Sequence, residues 1–436
     1  MLRHLLFLIL SIIILVNPAD AEDTYLPLAN SELSALRDLY NTTQGPQWIS
    51  TSDWFGPADP CTWTGINCIY IQVGVNDSKG KILQPEVSML GLSNRGLIGQ
   101  IPTSISNLSS LTLLDLSSNT LSGPIPASIG NLSRLTYLRL YSNQLSGAIP
   151  ASLGQLTLLN RLELTSNNLT ESIPDSLGQL SRLTDLLLGR NQLSGNIPSS
   201  LGYLALLKQL ILERNNLSGN VPELFGGMSK LLQLMLNSNQ LTGNIPETTG
   251  SLTALQTLIL YGNQFNGSIP PSLGSLAQLN ILNLSNNQLS GPLPDTLGNL
   301  ASLTHLDITA NQLTGKIPAT LGNLPLLKYL SLAVNQLSGS IPDTLGNLTE
   351  LSTVKLQNNQ LTGDLPPALG NLAKLNNLAL NDNQLRGSVP TALLTKMESA
   401  QRIFEFGNNP ALGSALKDDF ITTHPWLTSQ NTHYPV

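Results

Sequence analysis

Apolar and polar residues alternate along most of this chain in a pattern that repeats every 24 residues. One copy begins at Leu135, ends at Gly154 and reads LTYLRLYSNQLSGAIPASLG. An asparagine marks the same position of each copy, at Asn119, Asn143, Asn167, Asn191, Asn215, Asn239, Asn263, Asn287, Asn311, Asn335, Asn359 and Asn383. A period of this length, kept over most of the chain, indicates one solenoid of stacked units.

The Leu-x-Leu segment of each copy predicts a short strand. Leu138 and Leu140 point to the same side of an extended chain, so we expect both in the core and Arg139 in solvent. Asn143 also points inward, and burying it unpaired would be costly. We therefore expect its side chain to bond backbone groups of its own coil and the neighbouring coil. Gly147 permits tight or left-handed backbone geometry.

Twelve copies carry the full signature, and two further copies depart from it. The copy before them has Arg95 at the asparagine position. The copy after them, at Phe404, Phe406 and Asn409, is displaced by two residues. No copy contains an insertion. Thirteen coils spaced about 4.8 Å apart predict a sheet roughly 60 Å long.

This frame resembles the plant-type leucine-rich repeat, LxxLxLxxNxLSGxIPxxLGxLxx. The chain is similar in this respect to the ectodomains of receptor-like proteins and to polygalacturonase-inhibiting proteins. The resemblance implies an α/β repeat solenoid, a curved right-handed superhelix. Its parallel β-sheet would line the concave face, and short 3-10 or loop segments would form the convex face.

The first residues are typical of a secretory signal. A polar start at Arg3 and His4 precedes an apolar run from Leu5 to Val16, and Ala19-Asp-Ala21 offers a cleavage site. An uncleaved membrane anchor is the alternative. We expect a secreted, extracellular protein with no membrane span after signal removal, and association with the cell surface or cell wall is compatible with this.

Two cysteines, Cys61 and Cys68, lie close together in the segment CTWTGINC. In an export pathway such a pair favours a disulfide over a metal site. The segment resembles the N-terminal cap of the same family. That resemblance implies that a disulfide holds the cap and that tryptophans such as Trp48 and Trp54 cover the first coil.

We divide the chain into four parts. These are a signal peptide at 1–21, an N-terminal cap at 22–86, the solenoid at 87–390, and a degenerate last repeat with a C-terminal cap at 391–436. The residues expected to fold over the last coil are Leu393, Leu394, Met397, Ile403, Phe404, Phe406, Phe420 and Trp426.

Candidate binding residues lie at the outward positions of the predicted concave strands, because these side chains are not needed in the hydrophobic core. In the first third of the solenoid these positions are charged and aromatic, at Tyr137, Arg139, Tyr141, Arg161, Glu163, Asp185, Arg190, Glu213 and Arg214. Tyrosine and arginine are frequent in binding hot spots. The pattern indicates either a partner-docking patch or a solvated sheet face with compensating ion pairs.

Catalytic chemistry finds little support in the sequence. His305 and Asp307 share one predicted strand and could act as a base and its orienter, but no nucleophile motif accompanies them, and an ordinary surface pair is favoured. The four histidines are scattered, so we expect no metal or other cofactor. The formal net charge of -6 gives no indication of the basic surface that nucleic-acid binding requires.

The expected function is non-catalytic extracellular recognition of a protein, peptide or glycan through the concave face, as in a receptor or an inhibitor. A membrane co-receptor would relay any signal. The alternative is ice binding, or another function of the regular solenoid surface. Potential glycosylation sequons occur at Asn41, Asn76, Asn107, Asn131, Asn168, Asn216, Asn266, Asn283 and Asn347.

Overall fold

The computed structural model of the protein describes residues 23–76, 80–397 and 403–412. In this part the chain winds into the curved repeat solenoid that the 24-residue period predicts. The expected signal peptide, together with Phe420 and Trp426 of the expected C-terminal cap, lies outside the described residues.

The concave face is formed by a single sheet of sixteen strands. All neighbours in it are parallel except Ile66–Val75 and Lys81–Gly91, which form an antiparallel pair in the cap. The strands are Thr24–Tyr25, Ile66–Val75, Lys81–Gly91, Leu113–Asp115, Tyr137–Arg139, Arg161–Glu163, Asp185–Leu187, Gln209–Ile211, Gln233–Met235, Thr257–Ile259, Ile281–Asn283, His305–Asp307, Tyr329–Ser331, Thr353–Lys355, Asn377–Ala379 and Ile403–Glu405.

A second set of strands follows each inward asparagine and forms four shorter sheets, which we call the flank sheets. Their strands are Ile98–Gly99, Thr120–Pro124, Gln144–Ala148 and Asn168–Thr170; Ser194–Asn196, Asn216–Gly219, Gln240–Gly243 and Gln264–Phe265; Ser290–Pro292 and Gln312–Thr314; and Ser338–Gly339, Gln360–Asp364, Gln384–Gly387 and Ala411–Leu412.

The remaining turn of each coil is a 3-10 helix that begins directly after a proline or, in the cap, near one. These helices are Gly45–Gln47, Pro60–Thr62, Thr103–Asn107, Ala127–Asn131, Ala151–Gln155, Asp175–Gln179, Ser199–Tyr203, Glu223–Gly227, Glu247–Ser251, Pro271–Ser275, Asp295–Asn299, Ala319–Asn323, Asp343–Asn347 and Pro367–Asn371. The fixed φ of proline suits the start of a helical turn, and the short pieces keep each coil compact.

Leucines at equivalent positions form one continuous core through the coils. Leu138, Leu162 and Leu186 are directly paired in register on adjacent strands, and each is fully buried. One coil could not bury this set alone, so each unit is stabilised by its neighbours.

The asparagine ladder forms as the sequence predicts. Asn143 Nδ2 donates to the carbonyl of Leu140 in its own coil at 3.1 Å and to that of Leu116 in the preceding coil at 3.0 Å. Its Oδ1 atom accepts a hydrogen bond from the amide of Leu121 at 2.9 Å. The side chain therefore satisfies backbone groups of two coils at a place where water does not reach.

The N-terminal cap is an aromatic cluster beside the helix α1 (Asn30–Thr42). Tyr40, Trp48, Trp54, Phe55 and Trp63 pack against one another with ring centres 4.7 to 6.2 Å apart. The predicted disulfide between the two cysteines is confirmed, with a Cα–Cα distance of 5.5 Å. These contacts cover the apolar end of the first coil, which a solenoid must protect.

At the other end the helix α2 (Thr391–Met397) follows the last full coil. Leu393 is fully buried, and Phe404 and Phe406 pack against the core. Asn409 continues the ladder, because its Nδ2 donates to Leu380 O at 3.0 Å. The prediction that Ile403 covers the last coil is wrong: its side chain is 52% exposed because it occupies an outward position of the last concave strand.

Glu32 of the cap helix α1 carries a buried carboxyl group, and only 4% of the residue's surface is exposed. Its Oε1 atom accepts a hydrogen bond from the Val87 amide at 3.1 Å, and its Oε2 atom has no hydrogen-bond partner among the described residues. Burial raises the pKa of Glu32 to about 7, although the Val87 hydrogen bond lowers it, and the charge of Glu86 raises it further.

We expect the Glu32→Gln variant to be more stable than the wild type at pH 8 by about 2 kcal/mol, and equally stable at pH 4. The pKa in the folded state, about 7, lies above the ordinary 4.5. Protonated Glu32 therefore stabilises the fold fully below pH 4.5, and this contribution is lost as the pH rises through 7. Urea unfolding at pH 4, 6 and 8 measures the difference, with Glu247→Gln as an exposed control. A gain of equal size at pH 4 and pH 8 would contradict the assignment.

Candidate functional site

The nine outward residues predicted from the sequence lie on four adjacent coils, and we call them the concave patch. Strand register aligns them in columns: Tyr137, Arg161 and Asp185 are direct neighbours, as are Arg139 and Glu163. Tyr141, Glu213, Arg190 and Arg214 follow their strands and stand one or two residues before the inward asparagine. The structure therefore brings all nine residues into one contiguous surface.

Arg139 is the centre of an ion-pair network in this patch. Its Nη1 atom lies 3.6 Å from Asp115 Oδ2, and its Nε atom lies 3.3 Å from Glu163 Oε1. Arg161 Nε contacts the same oxygen of Glu163. The Arg139 guanidinium also lies over the ring of Tyr137, 5.6 Å from its centre, within cation–π range.

Glu163 departs from the expectation that every outward position faces solvent. It is 8% exposed, and both Arg139 of the preceding strand and Arg161 of its own strand contact its Oε1 atom. The two arginine side chains are each 31% exposed. Glu163 therefore acts mainly to hold the two arginines in place, and the arginines present the accessible charge.

A second pair lies further along the solenoid. Arg190 Nε contacts Glu213 Oε1 at 3.4 Å, and Arg190 and Arg214 are both exposed. Both arginines have left-handed backbones, with φ of 56° and 52°. The residue at this position is left-handed in the other coils too, for example Ser142 and Ser166, so the conformation is a feature of the repeat rather than of these two arginines.

Four apolar side chains beside the concave patch were not among the predicted binding residues, because the sequence analysis favoured charged and aromatic positions. They continue the column of Arg139 and Glu163 onto the next four strands, are each half-buried, and we call them the apolar strip: Leu187, Ile211, Met235 and Ile259. Contiguous apolar surface on an otherwise polar face marks many binding sites. Reading the whole column, rather than its polar members, would have found the strip.

His305 and Asp307 do not form a base and orienter. His305 Nδ1 lies 2.8 Å from the hydroxyl of its neighbour Thr304, and Asp307 Oδ1 accepts a hydrogen bond from the Thr309 amide at 3.0 Å. The imidazole instead stacks on Tyr329, with ring centres 6.1 Å apart. This geometry matches the surface pair that the sequence favours.

Residues 23–76, 80–397 and 403–412 contain no group of three or more His, Cys, Asp or Glu side chains placed to hold a metal ion. In the same part of the chain, the helices are too short or too polar to cross a bilayer.

Family models match most of the chain. A leucine-rich repeat N-terminal domain matches residues 29–69, a leucine-rich repeat region matches 86–194, and a leucine-rich repeat model matches 205–265. Single leucine-rich repeats match 278–300, 302–324, 326–348 and 350–372. None of the curated protein sequences matches the chain.

Several solved structures are similar to this chain. The plant peptide hormone receptor RGFR1, in complex with RGF2, is 35% identical over 74% of this chain, with a TM-score of 0.65. The Leptospira interrogans LRR protein LIC12759 is 32% identical over 77% of this chain and 82% of its own, with a TM-score of 0.61. A plant ice-binding protein is 28% identical over 73% of this chain and 90% of its own, with a TM-score of 0.53.

The similarity to the receptor is partial in length, since the chain spans 55% of the receptor's own chain. The repeat frame, the N-terminal cap and the long parallel sheet agree with these relatives. The chain belongs to the leucine-rich-repeat family, as a plant-type member similar to the ectodomains of plant receptors.

Proposed function

We propose that this protein is an extracellular, non-catalytic recognition protein that binds an extended peptide or protein segment on its concave face. The observation that carries the proposal is the apolar strip, which continues directly from the ion-paired arginines of the concave patch. An apolar surface bordered by oriented charges is the usual composition of a protein-binding surface.

The paired charges are suited to recognition. Arg139 and Arg161 are held by a buried carboxylate, so little side-chain freedom is lost when a ligand contacts them. Arg190 and Arg214 project beside the strip and offer hydrogen-bond donors to carbonyl or carboxylate groups. A peptide that places apolar side chains on the strip and acidic groups near these arginines is the ligand that fits this surface.

The proposal also includes the cellular location of the protein. We infer secretion through the signal peptide at residues 1–21 and folding in an oxidising compartment, which the disulfide between Cys61 and Cys68 supports. The related receptor RGFR1 binds RGF2. The similar receptor kinase HAESA is in complex with the peptide hormone IDA and the co-receptor SERK1, and by analogy we propose that a separate membrane co-receptor relays the binding event here.

To test the concave site, a peptide that binds the wild-type protein is first selected from a random phage library, and its affinity for variants of the site is then measured. We expect the double variant Arg139→Ala with Arg190→Ala, and separately Ile211→Glu, to weaken binding of that peptide at least tenfold, because each removes part of the contact surface. Arg182→Ala with Lys230→Ala, at exposed positions outside the patch, is the matched control. Thermal melting verifies that each variant is folded, and undiminished binding by both test variants would reject the site.

Ice binding is a second candidate, favoured by a column of hydroxyl groups that is interrupted once, by the exposed side chain of Leu224. Each member donates a hydrogen bond to a backbone carbonyl of the preceding coil, which fixes its orientation; the members are Ser128, Ser152, Ser176, Ser200, Thr248, Ser272, Thr296, Thr320 and Thr344. The similarity to a plant ice-binding protein also supports it. Thermal hysteresis of the purified protein tests this function, and its absence rejects it.

A further inference from the structure

The concave sheet has a free edge at its N-terminal end. The strand Ile66–Val75, which we call the outer strand, pairs on one side with Lys81–Gly91. Among residues 23–76, 80–397 and 403–412, no strand pairs with its other side. Backbone N–H and C=O groups along such an edge can pair with a further strand. The coils that carry the concave patch begin beyond the next two strands, so this edge is a separate surface.

The outer strand lacks the charges and prolines with which many proteins block a free edge. Its sequence, INCIYIQVGV, contains no Lys, Arg, Asp, Glu or Pro. Cys68 is part of the disulfide, and Tyr70 stays neutral because burial, and then the charge of Asp59, raise the pKa of its phenol. The strand therefore carries no charge that would repel a second strand of the same sequence.

Apolar side chains are exposed on both faces of the outer strand. Ile69 and Ile71 lie on one face, because they are two residues apart, and Ile69 is 38% exposed. On the other face Tyr70 is 42% exposed, and its ring meets that of the exposed Tyr25 edge-on, with ring centres 5.6 Å apart. A long, uncharged edge with such side chains favours pairing with another strand.

The sequence of the outer strand matches a second copy of itself. The segment Ile69-Tyr-Ile71 reads the same in both directions, and Tyr70 is its centre. The pairing with Lys81–Gly91 is regular over residues 68–72, between two register shifts, and Tyr70 is also the centre of this regular stretch. Antiparallel pairing of two outer strands about Tyr70 therefore places Ile69 opposite the partner's Ile71, and the two Tyr70 side chains opposite each other. Apolar and aromatic cross-strand pairs of this kind stabilise a sheet.

We propose that this protein forms a two-fold symmetric homodimer in which two outer strands pair antiparallel about Tyr70. The pairing joins the two concave sheets into one and removes the free edge of both copies. Both copies use the same surface, so the assembly closes at two chains. A strand of a different sequence would lack this match of side chains about one centre.

The size of the interface indicates a weak dimer. The outer strand and the side chains beside it supply about ten residues per copy, whereas a standard interface contains about 20–30 residues per partner. The register shift after Gln72 also limits the length of regular pairing. We expect a dissociation constant in the micromolar range or above, so the dimer forms where the protein is concentrated.

Sedimentation velocity, from low micromolar to several hundred micromolar protein produced without N-glycans, tests the dimer. We expect the wild type to pass from monomer to dimer over this range. Ile69→Lys and Ile71→Glu, each alone, should raise the dissociation constant at least tenfold, because each places a charge opposite an apolar side chain. Tyr203→Lys replaces an exposed aromatic residue in the 3-10 helix Ser199–Tyr203, away from the outer strand, and should stay within twofold of the wild type.

A mixture of the two charged variants tests the register. In a mixed dimer the introduced lysine lies opposite the introduced glutamate, so we expect the mixture to dimerise more tightly than either variant alone. Thermal melting verifies that each variant is folded. The proposal is overturned if the wild type forms assemblies larger than a dimer, if both variants dimerise as the wild type does, or if the mixture dimerises no better than its components. A wild type that stays monomeric would also overturn it, and would leave the free edge to a strand of another protein.

Discussion

Replacing Asn191 with Ala should lower the free energy of unfolding by about 3–4 kcal/mol, since it leaves several buried backbone groups without partners. The Nδ2 atom of Asn191 donates to the carbonyls of Leu164 and Leu188, both at 3.0 Å. Its Oδ1 atom accepts from the Leu169 amide at 3.1 Å. Alanine makes none of these bonds, and water cannot reach the carbonyls of the interior.

Urea unfolding followed by circular dichroism measures this loss. The neighbouring Gln192→Ala, at an exposed position outside the ladder, should change the stability by less than about 0.5 kcal/mol. Asn191→Asp keeps the acceptor but loses both amide donors, so we expect a stability between those of wild type and Asn191→Ala at low pH. Equal stability of Asn191→Ala and Gln192→Ala would show that the ladder contributes nothing.

Replacing Gly154 with Ala should destabilise the protein by about 3 kcal/mol, because it forces two coils apart. A Cβ atom at this position would lie 2.4 Å from the backbone oxygen of Ser176 and 2.6 Å from its Cβ atom, both in the next coil. The backbone there cannot move without disturbing its own core leucine, Leu177, which is fully buried. The stacking distance between coils therefore requires glycine.

The matched control is Gly407→Ala, since a Cβ at that glycine meets nothing within 4 Å. We expect its denaturant midpoint to stay near that of the wild type, while the midpoint of Gly154→Ala falls. If Gly154→Ala unfolds at the wild-type midpoint, the close approach of the coils is not a constraint on this position.

The fold could be predicted because each coil carries its own complete signal. The Leu-x-Leu spacing of Leu138 and Leu140 determines a strand with one buried face, and both side chains are fully buried. The role of Asn143 followed from the cost of burying an unpaired amide, and its bonds are those expected. Neither inference needed knowledge of distant parts of the chain.

The position of the candidate site could be predicted from the sequence, but the contacts among its side chains could not. The period placed Glu163 on an outward column, but only the structure shows that two arginines cover it. Leu187 and Ile211 lie in the same column, but they were not predicted as binding residues because the sequence analysis favoured charged and aromatic side chains. Burial of an outward residue depends on neighbours 24 residues away, and a single-coil pattern contains no information about them.

The sequence by itself thus determined the repeat, the strand positions, the inward ladder and the disulfide, because these depend on the local spacing of residue types. The tertiary structure decided which outward side chains pair, where apolar surface remains, and why Gly154 must lack a side chain. It also placed Asn196 and Asn220 over the glycines of the following coils. These features arise from the contact distance between stacked coils, a property of the assembled solenoid and of no single repeat.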